Sequence, residues 1–340
     1  MNNEVWQKLL SLESQEVVKN LFSKIHGNVL NTRRTKEINS SAKQAREYFR
    51  NASTSSFSVR PLLVFYGVSS LARSLTLLMK KKGGEEVLIA GHGLTTENWS
   101  KELSGDLNSA IKGIGDLRVR TTSGLFTDFI RETENRMNFH VRSSAIDWSM
   151  NYPIPPQENI ISLSQIISRL PDLAQDFRHL SEEPLYSSIN EMVYSPEGGF
   201  SCKVLTSNLK SFKNWFLENG FEVLEEGDWT TIKSTSENFE SHQPQFIHSY
   251  VQKTFGSIPA LFLSKPFDSN VCYSQLGMTF LASYFLGMLV RYYPTQWIQL
   301  INGGAGDNYW PTINRLQGYV EQVFPELVIE LIFDLTKNNN

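Results

Sequence analysis

The sequence predicts a helix-dominated α+β fold, in which a helical bundle forms from both chain ends and a strand-rich segment lies in the middle. Three observations lead to this prediction. Apolar residues recur every three or four positions near both ends, and they alternate with polar residues in the middle. The composition is globular, since 40% of the 340 residues are hydrophobic and 20% are charged.

We expect three regions along the chain. Residues 1–115 form an N-terminal helical region and residues 116–234 a strand-containing middle region. Residues 235–340 form a C-terminal helical region that packs back on the first. A chain of this length is long enough for one large core or for two domains.

The N-terminal region contains three predicted helices. Apolar spacing predicts a helix over 5–25, and a capped helix follows at 40–50. Pro61 stands where a third helix can begin, and residues 62–82 have the composition of a long apolar helix. Three lysines end this helix, where positive charge favours the helix dipole, and a Gly-Gly pair stops it.

The middle region alternates in the manner of strands. Residues 116–123 predict a strand with a basic face, residues 137–146 predict a second strand, and residues 160–170 predict a short helix closed by Pro171. The pattern from 191 to 234 is strand, strand, helix, strand, strand. Its clearest elements are strands at 200–205, 221–224 and 229–233, a helix at 209–219 and a hairpin turn at 225–228.

The C-terminal region is again helical. Residues 235–247 are polar and predict an exposed loop, and helices are predicted at 275–293, 309–324 and 325–336. The uncharged run 271–290 includes several serines and glycines. It is therefore more typical of a buried helix than of a membrane span.

Charge and cysteine content bound the environment of the protein. There are 32 Lys and Arg residues against 35 Asp and Glu residues, a net charge of −3, so the average surface does not attract polyanions. Two cysteines are too few for a disulfide scaffold and suit a reducing compartment. The first residues do not have the pattern of a signal peptide. We expect a cytoplasmic protein without membrane association.

Motif searches find no established catalytic pattern. The sequence lacks a phosphate-binding loop, a G-x-S-x-G elbow, H-E-x-x-H and C-x-x-C, and Gly91-His92-Gly93 lacks the third glycine of a dinucleotide loop. The six histidines stand far apart, so the sequence predicts no metal site, and it predicts no cofactor. If the protein is an enzyme, His92 or His140 is the candidate acid or base.

A basic segment near the N-terminus has two interpretations. Its cations could contact nucleic-acid phosphates while Tyr48 or Phe49 stacks on a base. Alternatively, they form a solvated helix face whose aromatic residues enter the core, and the slightly acidic net charge favours this second interpretation. The cations that would form the patch are Arg33, Arg34, Lys43, Arg46 and Arg50.

Further cations and polar groups are embedded in apolar sequence. Arg60, Tyr66, Arg73 and His92 belong to the apolar N-terminal segment, and Arg291-Tyr292 ends the apolar C-terminal helix. They could converge on a pocket for a phosphate or another anion. They could instead pair with carboxylates or with carbonyls at helix ends and so hold the bundle together, the interpretation that we favour.

Several segments together resemble the YaaC-like family of bacterial proteins, which is largely uncharacterised. The resemblance involves residues 48–50, 60–67, 71–73, 92–94, 163–173, 288–294, Trp297 and 324–327. Because these segments come from both ends of the chain, the resemblance is global. It implies more about the fold than about the function.

Residues 60–94 are also similar, more distantly, to the helical core of HEPN domains, many of which are ribonucleases in toxin and phage-defence systems. Those enzymes use an Arg and a His on a helix with four to six residues between them. The nearest pair here is Arg136 and His140, which has three residues between its members and lies in a predicted strand. The resemblance therefore implies a relative that binds without cleaving.

Three functions follow as hypotheses. The first is a YaaC-like cytosolic protein that binds a protein partner, a second copy of itself or a nucleic acid. The second is a HEPN-like ribonuclease or effector in phage defence. The third is a nucleotide-sensing regulator that uses Arg60 and Arg291.

Overall fold

The computed structural model describes residues 3–137, 151–176, 180, 183–248, 262–303 and 307–337. Within these residues, helices α1 to α14 span Asn3–Leu9, Gln15–His26, Thr32–Thr54, Arg60–Met79, Trp99–Glu102, Leu107–Lys112, Leu125–Glu132, Leu163–Ile167, Thr206–Leu209, Lys213–Glu218, Ser236–Phe246, Gln275–Tyr292, Pro294–Ile301 and Trp310–Lys337. Strands β1 to β9 span His92–Glu97, Arg118–Gly124, Ile160–Ser162, Tyr186–Ser195, Gly199–Leu205, Glu222–Glu226, Trp229–Ser234, Ile247–His248 and Phe262–Ser264. The predicted helix-dominated α+β fold is confirmed.

The chain divides into two compact units. The helical unit contains Met1–Asn135, Pro156–Leu163 and Gln275–Asn340, and the sheet unit contains Arg136–Pro155 and Ser164–Ser274. These units follow contacts in space, whereas the three predicted regions follow the chain. Strands β2 and β3, from the predicted middle region, therefore belong to the helical unit.

Four long helices form the centre of the helical unit. Helix α4 packs against α3 and α12, and α12 packs against α14, so helices from the two ends of the chain pack together. Gly287 in α12 permits a close approach, because a Cβ atom there would lie 2.6 Å from the Cβ of Phe65 in α4. Every residue of α12 from Gln275 to Val290 is buried, which confirms the prediction of a core helix.

A three-stranded antiparallel sheet completes the helical unit, in the order β1–β2–β3. The predicted strand at 116–123 is confirmed as β2. Arg120 of β2 forms ion pairs with Glu97 of β1 and with Glu158, which precedes β3.

The sheet unit contains a six-stranded antiparallel sheet in the order β6–β7–β5–β4–β9–β8. The predicted hairpin is confirmed, since β6 and β7 pair on either side of Gly227, which has a φ of +62°. Alternate side chains of the sheet enter a core rich in phenylalanine, to which α10 and α11 contribute Phe216, Phe239 and Phe246.

Several predictions of local structure are wrong. The single helix predicted over 5–25 is divided between α1 and α2, and the three lysines predicted to end the helix at 62–82 follow its last residue, Met79. Residues 160–162 form β3 before the short helix α8 begins, because their backbone pairs with β2. The predicted loop at 235–247 is helix α11, capped by the Thr235 side chain and held by two core phenylalanines. Helix α14 continues through Pro325, where two helices were predicted. Helix α3 is twice as long as predicted and begins at Thr32, after the Asn31 cap. The predicted strand at 137–146 lies, beyond Met137, outside the described residues.

One helix in the described part of the chain is long and apolar enough to cross a membrane. It is α4, whose most apolar 18-residue window is 61% buried within the protein. A core helix of a soluble protein has the same properties.

Candidate functional site

His92 is positioned by a strand irregularity between two glycines. Gly91 and Gly93 have φ values of +98° and +76°, and the β1–β2 register shifts between His92 and Leu94. At Gly124 on β2, with φ +148°, a Cβ atom would lie 2.7 Å from the Cα of Gly93. Only glycine therefore fits at position 124, where β2 approaches β1 most closely. The bulge in β1 fixes the direction in which the His92 side chain projects from the sheet.

The His92 ring lies on the aromatic surface of two core helices. Its centroid is 5.0 Å from that of Phe65 in α4 and 6.2 Å from that of Tyr284 in α12. Partial burial lowers the pKa of His92, and the positive charges of Arg291 and Arg73 lower it further. The imidazole is therefore uncharged at neutral pH. Neither ring nitrogen has a hydrogen-bond partner among the described residues.

Two arginines act on this histidine through their charge, and Tyr66 follows Phe65, against which the histidine ring rests. Arg291, in the last turn of α12, donates a hydrogen bond from Nη1 to the hydroxyl of Tyr66 at 3.0 Å and stacks on Tyr292. Arg73 lies two turns after Tyr66 on α4, so both are on one helix face. Its Nη1 is 3.7 Å from a carboxylate oxygen of Glu85.

The expectation that these arginines are embedded is wrong. Arg73 and Arg291 are both exposed: Arg73 is on the solvent side of α4, and Arg291 follows the buried residues of α12 in its last turn. Within the described residues Arg291 has no ion pair. We call His92, Tyr66, Arg73, Arg291 and Tyr292 the His92 cluster.

Arg60 does not belong to the His92 cluster. It lies 13 residues before Arg73, about 20 Å along the axis of α4. Its Nε donates to the carbonyl oxygens of Ala52 and Ser55 at 3.0 and 3.2 Å, and its guanidinium stacks on the ring of Phe57. Arg60 therefore caps the C-terminal end of α3, which is the clamping role that we favoured from the sequence.

Arg34, in the first turn of α3, caps the C-terminal end of α4 in the same way. It is 4% exposed, and its guanidinium donates to the carbonyl oxygens of Leu77 and Lys80 at the end of α4. An arginine in the first turn of each helix thus caps the last turn of the other. Because Arg34 is buried, its assignment to a phosphate-binding patch is wrong.

The remaining cations of the proposed patch are mostly neutralised. Arg46 makes two hydrogen bonds to the carboxylate of Glu13, and Arg50 pairs with Glu47. Arg33 pairs with Glu37 and Glu86, and Lys43 is exposed. The segment therefore presents alternating charges rather than a continuous positive surface, which fits the solvated-face interpretation.

Sequence reasoning identified the members of the His92 cluster but missed what positions them. Phe65, Tyr284 and Gly124 hold the histidine, yet Tyr284 and Gly124 are distant from it in the sequence. The Gly-His-Gly triplet was the available signal. His140, the other candidate acid or base, lies outside the described residues.

Histidine protonation should make stability depend on pH. Burial lowers the pKa of His26, whose ring contacts the Leu78 carbonyl, as it does that of His92. Below about pH 6.5 the unfolded chain binds protons that the folded chain does not, so stability is lost as pH falls. Urea unfolding between pH 7.5 and 5.5 should show a smaller loss in a double variant, His26→Gln with His92→Gln. An equal loss would contradict this prediction.

Comparison with known proteins gives one match. A family model described as YaaC-like Protein matches residues 10–332. No curated protein and no solved structure matches the chain.

Proposed function

The chain belongs to the YaaC-like family, and we propose that it is a binding protein that senses a nucleotide, with the phosphate held at the His92 cluster. The supporting observation is Arg291. Its guanidinium is on the surface, is oriented by the Tyr66 hydroxyl and has no carboxylate partner among the described residues. Arginine binds phosphate through two parallel hydrogen bonds, and Tyr66 holds this one ready to do so.

Aromatic rings beside the arginines favour a nucleotide over a simple anion. Tyr66 lies 5.5 Å from Tyr48 of α3, centroid to centroid, and Tyr292 is 58% exposed beneath the Arg291 guanidinium. Nucleobases stack on such rings, and each stacked base contributes about 1–3 kcal/mol.

The size of the cluster favours a small ligand over a long nucleic acid. Affinity for nucleic acid grows with the number of phosphates that are neutralised. The cluster offers one arginine without a carboxylate partner among the described residues, Arg291, since Arg73 pairs with Glu85. In the basic segment Arg33, Arg46 and Arg50 already pair with carboxylates. Binding of RNA or of a protein partner in the cytoplasm stays a prediction.

Ribonuclease activity is less well supported than binding. A catalytic histidine works best when a partner orients it and adjusts its pKa toward the working pH. The two charges that act on His92 are both positive, and they move its pKa further below neutrality. We therefore propose that His92 takes part in binding rather than in bond cleavage.

A thermal-shift panel tests the proposal. Purified full-length protein is heated with nucleoside mono-, di- and triphosphates, each at millimolar concentration. A ligand at one hundred times its Kd should raise the free energy of unfolding by about 2.7 kcal/mol. Arg291→Ala should weaken binding of that ligand at least tenfold.

The matched control is Arg118→Ala. Arg118 is an exposed arginine of the same unit, on β2, and lies outside the His92 cluster. This variant should bind as the parent protein does. If no nucleotide stabilises the protein, or if the two variants lose affinity equally, the proposal is wrong.

A further inference from the structure

The contact between Arg291 and Tyr66 continues onto the surface of α3. Arg291 donates a hydrogen bond to the Tyr66 hydroxyl of α4 at 3.0 Å, and the Tyr66 ring lies 5.5 Å from that of Tyr48 on α3, centroid to centroid. Gln44 lies one turn before Tyr48 on the same face of α3, since residues four apart on a helix are neighbours. A guanidinium, two phenol rings and a carboxamide therefore follow one another across three helices of the helical unit.

Gln44 is an exposed residue whose carboxamide is oriented by the neighbouring helix. The hydroxyl of Ser70 in α4, a buried residue, donates a hydrogen bond to Oε1 of Gln44 at 3.2 Å. Oxygen and nitrogen occupy opposite sides of a carboxamide, so the nitrogen of Gln44 faces away from Ser70. This nitrogen has no partner among the described residues, and its two N–H groups are available to a ligand.

The charged residues of the same part of α3 do not take the place of Gln44. Arg46 pairs with Glu13, and Glu47 pairs with Arg50. The preceding lysine, at position 43, lies about 100° away around the helix axis. Gln44 is therefore the neutral polar group in line with the Tyr48 ring.

Purine bases differ in what they present to a pair of N–H donors. Guanine has two acceptors side by side, O6 and N7, whereas adenine has an amino group, itself a donor, beside N7. A donor that loses its water without gaining an acceptor costs binding energy. A carboxamide held with its nitrogen toward the ligand therefore favours a purine with a carbonyl oxygen at position 6.

From these contacts we propose that the ligand is a 6-oxopurine nucleotide, with guanine or hypoxanthine as its base, and that this base stacks on Tyr48 while Gln44 donates to O6 and N7. The inference rests on the proposed function and specifies the base of its ligand. Stacking on an aromatic ring accepts any base, and a purine offers the ring a larger surface than a pyrimidine does. Tyr48 therefore holds the base, and Gln44, positioned by Ser70, selects it.

GMP, IMP and AMP, together with the corresponding triphosphates, are the probes that test this inference. Within each series the ribose and the phosphates are identical, so a difference in Kd comes from the base. Calorimetric titration of the full chain should give a Kd about tenfold lower for the guanine nucleotide than for the adenine nucleotide. The hypoxanthine nucleotide has O6 and N7 but lacks the 2-amino group, and it should bind as the guanine nucleotide does.

Variants at Gln44 test which residue makes the selection. Gln44→Glu should reverse the preference in favour of adenine, because a carboxylate accepts hydrogen bonds and an adenine amino group donates them. Gln44→Leu should make the Kd values of the two nucleotides equal. Ser70→Ala removes the hydroxyl that orients the carboxamide and should reduce the preference. The matched control is Gln15→Glu, which adds the same charge at an exposed glutamine of α2 and should leave the preference unchanged.

The outcomes separate the two proposals. If guanine and adenine nucleotides bind through Arg291 with equal Kd, or if Gln44→Leu keeps the preference of the parent protein, selection of the base by Gln44 is wrong and the nucleotide site stands. If no nucleotide binds, both proposals fail. A preference for guanine and hypoxanthine that Gln44→Glu reverses supports both.

Discussion

Replacing Arg34 by methionine is expected to lower the free energy of unfolding by about 3 kcal/mol. Methionine retains much of the side-chain length but donates no hydrogen bond. The carbonyl oxygens of Leu77 and Lys80 would then lose their charged donor at a buried helix end. Contact of the guanidinium with the Phe22 ring, at 5.0 Å, would also be lost. Chemical denaturation of the purified variant measures the change.

The adjacent residue is the control. Arg33→Met removes the same chemical group one position earlier, where the side chain is exposed and pairs with Glu37 and Glu86. Exposed ion pairs contribute at most about 1 kcal/mol, so this variant should unfold close to the parent. If Arg33→Met and Arg34→Met destabilise the protein equally, Arg34 is not the clamp described above.

Replacing Gly287 by alanine is expected to cost about 2 kcal/mol of stability. The added methyl group would lie 2.6 Å from the Cβ and 2.9 Å from the Cγ of Phe65, atoms that cannot move without the backbone of α4. Helices α4 and α12 would have to separate. Since His92 rests on Phe65, the His92 resonances should shift as well.

Gly318→Ala is the matched substitution. Gly318 is also a helical glycine, in α14, and nothing lies within 4 Å of a Cβ placed there. Alanine is the better helix former, so this change should stabilise the protein by about 0.5–1 kcal/mol. The two substitutions should therefore differ in sign. A loss of stability at both positions would show that the close approach to Phe65 is not the cause.

The fold was predictable where local pattern and burial agree. Helices α4 and α12 show long apolar sequences, and the β6–β7 hairpin has a glycine at its turn. Helix α11 was missed because its sequence is mostly polar. Two of its phenylalanines hold it in place by packing into a core whose other residues are far away in the sequence. Strand β3 was missed because its pairing with β2 comes from residues about forty positions earlier.

The candidate site was predictable in its members but not in its geometry. Arg73, Arg291 and His92 were singled out because polar groups in apolar sequence need partners. The same reasoning included Arg60, which instead caps the end of α3. The spacing of apolar residues in a helix does not show which neighbouring helix end an arginine side chain will contact. The Arg34 position was misjudged for the same reason, since its carbonyl partners lie more than forty residues away.

The helical unit is built from the two ends of the chain, with the sheet unit between them, and this order affects how the protein is made. A ribosome must synthesise the 196 positions from Met79 to Gln275 before α12 can cover α4. At usual rates of translation this takes roughly 10–40 s. During that time α3 can already pack against α4, but the apolar face of α4 that α12 covers stays open. A chaperone that holds apolar segments is therefore expected to bind the unfinished protein.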